Sequence, residues 1–233
     1  MKGFRKKYYN VFSHFYDIFV ALHSGDRGGF LRNYLAQKVG LGKGDIALDI
    51  CTGTGSLLLS LRHLVGDKGM VVGVDFSRGM LQVAREKTKK HVNILLVEAD
   101  VSFLPFKREV FDGVTCSHAF YELKAEAAGR CLQEVSRVLK RGKGFFMMEH
   151  DIPSNPLVRL LFYGRILSMG SKKALEILKG EEGIFRRYFP YVKKLRTQTG
   201  RSKIIICRKE TKEGANGMEG NGGEVGFSTE VED

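Results

Sequence analysis

Three aspartates, Asp49, Asp75 and Asp100, each stand at the end of an apolar run, and directly after the first lies the stretch CTGTGS, Cys51–Ser56. A turn holding Gly53 and Gly55 right behind a strand brings bare backbone, and the amino end of the next helix, against a ligand. Asp75 follows Gly55 by twenty residues, the place where an acid accepts hydrogen bonds from ribose hydroxyls. An acid at a strand end can also cap a helix. Three of them in consecutive units are harder to obtain from capping alone, so the chemistry indicated is the binding of a ligand that carries a nucleoside. A dinucleotide-linked oxidoreductase would want a third glycine three residues after Gly55, where Leu58 stands. The lysine of a GxxxxGK[ST] triphosphate loop is missing too.

The elements that must position these residues follow from periodicity. Residues 7–39 carry aromatic and aliphatic side chains at helical spacing, and Gly40 to Gly44 breaks the chain. Then DIALDI reads as a buried strand, Ser56 to Leu64 as a helix, MVVGVD as a second strand and Ser77 to Lys89 as a second helix. VNILLVEAD and VFDGVTCS read as strands three and four, Ala125 to Leu139 as a helix and GKGFFMMEH as strand five. Strands alternating with helices at this spacing predict an α/β fold, doubly wound, with a parallel sheet whose ligands bind at the carboxyl ends of the strands.

Composition bounds the rest. A chain of 233 residues with 43% hydrophobic content supports one generous domain. No run reaches the roughly 18 apolar residues of a membrane span, and the amino end lacks the apolar core of a signal segment, so a cytoplasmic protein is expected. Cys51, Cys116, Cys131 and Cys207 form no CxxC pair, and neither zinc nor a disulfide framework is indicated. Residues 211–233 carry a charge of −5 out of a total of +12, leaving +17 on residues 1–210. That Gly- and Glu-rich tail holds too few apolar residues to offset its ordering entropy and is expected to be disordered. The domain boundaries read as a helical leader over 1–44, a main domain over 45–210 and the tail over 211–233.

The motifs together resemble the class I S-adenosylmethionine-dependent methyltransferases, and within them the UbiE-like C-methyltransferases of ubiquinone and menaquinone biosynthesis. LDICTGTGS is similar to the family's first motif, GVDFSRGMLQVAREK to the second, VEADVSFLPFKREVFDGVTCSHAF to the third and fourth, and LQEVSRVLKRGKGFFMMEHDIP to the helix, turn and fifth strand. FSHFYD and SGDRGGFLRNYL in the leader resemble the family's amino end, so the likeness runs from about Tyr8 to Pro153. It implies a Rossmann-like, seven-stranded, mainly parallel sheet with an antiparallel last strand, for which KIIICRKE is the candidate. It also implies that S-adenosylmethionine is the cofactor. Asp49, Gly53, Thr54 and Gly55 would lie at its methionyl part, Asp75 at the ribose, Phe76 and Met80 beside the adenine, Asp100 and Val101 at the adenine edge, and Ser117 along its length. Cys51 stands where the general glycine motif has its first glycine.

A sulfonium methyl is already activated, so the protein has to align an acceptor and exclude water. If the acceptor is a phenolic ring, a base that ionises it makes ring carbon nucleophilic, and His118, Glu149 and His150 are the candidates. Tyr16 and Asp17 of the leader are candidates to close over the donor. The acceptor is expected to be a small lipophilic molecule, resembling a quinone precursor or a phospholipid headgroup. PLVRLLFYGRILSMG, with Arg159 and Arg165, reads as an amphipathic basic region suited to peripheral contact with an anionic membrane. The positive charge also keeps an RNA or DNA methyltransferase in view. Against that reading, SHAFYEL stands where amino-group methylation of flipped bases uses Asn/Asp-Pro-Pro-aromatic. A non-catalytic binding protein with the same fold is a third alternative.

Overall fold

A computed structural model describes residues 29–151, 182–197 and 202–209. The expectations placed on Tyr16, Asp17, Arg159, Arg165 and the tail lie outside the described residues.

The described residues open with helix α1 (Phe30–Val39) and then alternate: β1 (Ile46–Ile50), α2 (Ser56–Val65), β2 (Met70–Asp75), α3 (Arg78–Thr88), β3 (Ile94–Glu98) and β4 (Phe111–Ser117). After a 3-10 turn at Phe120–Glu122 come α4 (Ala125–Val138), β5 (Leu139–His150), β6 (Tyr191–Arg196) and β7 (Ser202–Arg208). The strands form one seven-stranded sheet in the order β3-β2-β1-β4-β5-β7-β6. β1 pairs in parallel with both β2 and β4, while β7 runs antiparallel between β5 and β6. The chain order therefore reverses at β1 and β4, and a ligand crevice opens outside their carboxyl ends.

Each sheet face is covered. Leu48, Ile50, Val114, Cys116, Phe145 and Met147 pack with α4 and with Phe185 and Phe189. On the other face, Ala47, Phe146 and Met148 meet Leu31, Leu35, Leu57 and Leu61 of α1 and α2. Helix α1 approaches the sheet closely because Gly113 of β4 has no side chain: a Cβ there would lie 2.5 Å from Val39 Cγ1. Ser77 caps α3, its hydroxyl accepting the Met80 N–H at 3.3 Å.

The five strands read from periodicity are present, with β5 starting at Leu139, earlier than the glycine-flanked segment suggests. A register shift between Phe111 and Gly113 lets the polar KRGK stretch continue the ladder, and Lys140 closes on Asp112 at 2.8 Å. β6 carries no apolar alternation that marks it in sequence. It is YVKKLR, held as an edge strand by β7. Among the described residues no helix is long and apolar enough to cross a membrane.

Candidate functional site

The loop between β1 and α2 is built by backbone conformations that few residues adopt. Cys51, Gly53 and Gly55 have φ of 53°, 54° and 75°. Gly55 is also needed for space, since a Cβ there would meet the Ala84 Cβ of α3 at 2.8 Å. Cys51 takes the left-handed conformation without a glycine's freedom, at a cost of about 1–2 kcal/mol. The Thr52 N–H donates to Val74 O at 2.9 Å and the Gly55 N–H to Thr52 O at 3.0 Å, which fixes the loop over the ends of β1 and β2.

Two strand-end acids brace it. Asp75 accepts the Gly53 N–H at 2.9 Å and the Ser77 N–H at 2.8 Å, so one carboxylate joins the glycine loop to the start of α3. Burial pushes its carboxyl up to about 6 despite those donors. The Phe76 N–H also bonds this carboxylate, and three donors on about four lone-pair sites leave room for a ligand hydroxyl. Asp49, 2% exposed, accepts from the Thr52 and Thr115 hydroxyls at 2.6 and 2.7 Å, and burial raises it to about 7. Asp100 is exposed, its Oδ1 holding the Ser102 N–H at 2.9 Å.

A cavity of about 30 Å³ opens beneath this loop, lined by Asp49, Cys51, Thr54, Ser117, His118 and Arg32 among others. That volume takes a small polar group and nothing larger. His118 also holds a left-handed backbone, at φ 53°, pinned by its N–H to Met148 O at 2.8 Å. Its Nδ1 is buried with no hydrogen-bond partner among the described residues. Burial, then the neighbouring His150 and Arg32, hold its pKa well below the ordinary value, so the ring is neutral at neutral pH. The His150 ring lies 4.5 Å away, centroid to centroid.

Of the residues singled out in sequence, the structure brings Asp49, Gly53, Thr54, Ser117 and His118 to one cavity and sets His150 behind it. Asp75 and Phe76 stand beside it at the end of β2, with Phe76 39% exposed. Met80 and Val101 are buried, Val101 within the core beside α4. Glu149 alternates to the opposite face of β5 from His150. There it accepts the Tyr121 N–H at 3.3 Å, faces Lys203 across the β5–β7 ladder and is raised by burial to about 8. Lys203 is fully buried, with its ammonium 5.1 Å from the Tyr121 ring centroid. Sequence reasoning missed Lys203 and Arg32. Arg32 carries a signal in retrospect, because it occupies the stripe of Ala36 and Val39, both buried.

These residues fit a nucleoside-bearing donor with a small charged end: a glycine loop, a ribose-height carboxylate, an orphaned buried nitrogen and a cavity sized for one polar group. The comparisons agree. A family described as "Methyltransferase domain" matches residues 47–142. Demethylmenaquinone methyltransferase from Staphylococcus aureus is 36% identical over 131 residues, 56% of this chain and 54% of that protein, so the chain spans about half the length of the curated relatives it matches. Among solved structures, the complex between the Haloferax volcanii Trm112 methyltransferase activator and a putative methyltransferase superposes with a TM-score of 0.69 at 18% identity, covering 87% of this chain and 98% of that one. Haemonchus contortus phosphoethanolamine N-methyltransferase 2, solved with S-adenosylhomocysteine, gives a TM-score of 0.62 at 16% identity, covering 79% of this chain and 53% of that one. These structures show the same fold. Residues 47–142, which carry the glycine loop and all three strand-end acids, match the methyltransferase-domain family and are similar to the demethylmenaquinone methyltransferases.

Proposed function

We propose that this protein transfers the methyl group of S-adenosylmethionine to a small, lipophilic phenolic acceptor of the quinone-precursor kind. When bound, the donor supplies an electrophilic methyl on sulfur. The chain's own part is to hold the donor by the Cys51–Ser56 loop and Asp75, and to take a proton from the acceptor. The observation that carries the reading is the buried, unpartnered Nδ1 of His118 in the wall of the donor cavity. A neutral imidazole there can accept a proton, and the His150 ring packs against it. The likeness to demethylmenaquinone methyltransferase favours a ring carbon activated by ionising a neighbouring hydroxyl.

Two experiments test it. Calorimetric titration is expected to show binding of S-adenosylmethionine and none of NADH, and Asp75→Asn should weaken the former about tenfold or more. Transfer of labelled methyl to a reduced demethylmenaquinone is expected, with none to RNA or DNA; label appearing in nucleic acid alone would overturn the acceptor class. His118→Ala should lower kcat by about 10²-fold or more. Because the imidazole stays neutral below its ordinary pKa, wild-type kcat should hold as pH falls through about 6.5, and a drop centred there would argue against His118 as the base.

A further inference from the structure

Cys51 follows β1 with a φ of 53°, a conformation that glycine adopts freely and cysteine only at a cost. Backbone strain of this kind gathers at functional positions, which directs attention to the thiol itself. A continued strand would turn the side chain of residue 51 away from that of Ile50. The left-handed step brings it back, and Cys51 packs on the core that holds Ile50, Cys116 and Cys131. Cys116 lies directly opposite Ile50 across the parallel β1–β4 pair. One strand spacing and one residue rise then separate the Cα atoms of Cys51 and Cys116 by about 6 Å, inside the range of about 4.4–6.8 Å that disulfides span. A hydrogen bond joins the two thiols. They differ in access, because Cys51 is half-buried while the other three cysteines, all free, are buried.

We infer that Cys51 and Cys116 form a modification site, a thiol pair that peroxide converts to a reversible disulfide, drawing the glycine loop onto the end of β4 and weakening donor binding. The effect on the donor rests on the donor reading above. Cys51 lines the small cavity beside Thr54, Ser117 and His118, and a space for one small polar group admits a peroxide. The bond to Cys51, together with burial, keeps the Cys116 thiol protonated at neutral pH, so oxidation starts at Cys51. Hydrogen peroxide gives one oxygen to the Cys51 sulfur, forming a sulfenic acid and one water. The Cys116 sulfur then displaces that oxygen, its own proton leaves with it as a second water, and the S–S bond forms. The two sulfurs together lose two electrons and the peroxide gains them. Cys131 shares the core but comes from α4, not from a strand paired with β1.

The test treats the full chain with a slight excess of hydrogen peroxide and maps its thiols by mass spectrometry after alkylation. A Cys51–Cys116 link is expected in the wild type, undone by dithiothreitol. Calorimetry should show S-adenosylmethionine bound about tenfold or more weakly by the oxidised protein, the effect of losing one hydrogen bond to a charged ligand, with full affinity restored on reduction. Cys116→Ala leaves the Cys51 sulfenic acid without a partner, so dimedone should label Cys51 in that variant and not in the wild type. The mapping on wild type decides the pair even where the variant fails to fold. Cys51 recovered as a free thiol, as a sulfinic acid or linked to Cys131 overturns the pair, and a mapped link with unchanged affinity overturns its effect on the donor. Reduced protein that binds no S-adenosylmethionine sinks the donor reading itself, while the mapped link still decides the thiol pair.

Discussion

Asp49 shows how a residue can serve two masters at the amino-acid scale. Buried at the end of β1 and held by two hydroxyls, it is raised to about 7 from an ordinary 3.8. A carboxyl raised in the folded state favours folding fully below its unfolded pKa, and that contribution is lost as pH rises through about 7. Asp75 at about 6 and Glu149 at about 8 act with the same sign. Wild-type stability is therefore expected to decline from pH 5.5 to 8.5. Asp49→Asn removes one of these titrations, so urea unfolding should show a shallower decline, with the variant gaining on wild type by about 1–3 kcal/mol across that range. Parallel curves would mean that Asp49 does not titrate there. The type of residue at 49, 75 and 100 was legible from strand ends. The isolation of His118 Nδ1 was not, because it depends on which polar groups fold around it.

At the scale of elements, the sheet and the loop depend on close approaches that only glycine allows. Gly113 lets α1 sit on β4, and a methyl there would lie 2.5 Å from Val39 Cγ1 and 3.2 Å from Leu41 Cδ2. Gly113→Ala is expected to cost about 1–3 kcal/mol by overpacking. Because α1 carries Arg32, the same substitution should weaken S-adenosylmethionine binding, whereas Ser77→Ala, which removes a cap of about 1 kcal/mol, acts on α3 alone. Urea unfolding and calorimetry on the two variants separate these effects, and an unchanged stability in Gly113→Ala would remove the account of how α1 is seated. Strands β1 to β4 were readable because each is an apolar run between turn residues. β6 was not, since YVKKLR is an edge strand with exposed lysine and draws its pairing from β7.

For the molecule as a whole, charge and topology divide the work. The crevice lies where the order β3-β2-β1-β4 reverses, and the basic residues concentrate after residue 156, fourteen Lys or Arg against four acids up to residue 210. A charge excess of that size favours an anionic membrane in which a lipophilic acceptor would be held. Replacing Arg159 and Arg165 by Gln is expected to lower co-sedimentation with anionic liposomes by about threefold at low salt, with less effect in 0.5 M salt, where the Debye length is only about 4 Å. Equal sedimentation of both proteins would overturn the expectation of peripheral contact with an anionic membrane.

The sequence by itself determined the α/β alternation, the glycine loop and the three strand-end acids, because each rests on local spacing: period two or 3.6 for the elements, and left-handed backbone for Gly53 and Gly55. Only the tertiary structure decided which side chains share a cavity. Residues 32, 49, 54 and 118 come from three separate segments, α1, β1 with its loop, and the end of β4, and strand alternation sends His150 and Glu149, neighbours in the chain, to opposite faces of the sheet. Contact between distant segments is fixed by packing, here by α1 settling on Gly113, and packing is a property of the whole fold rather than of any window along the chain.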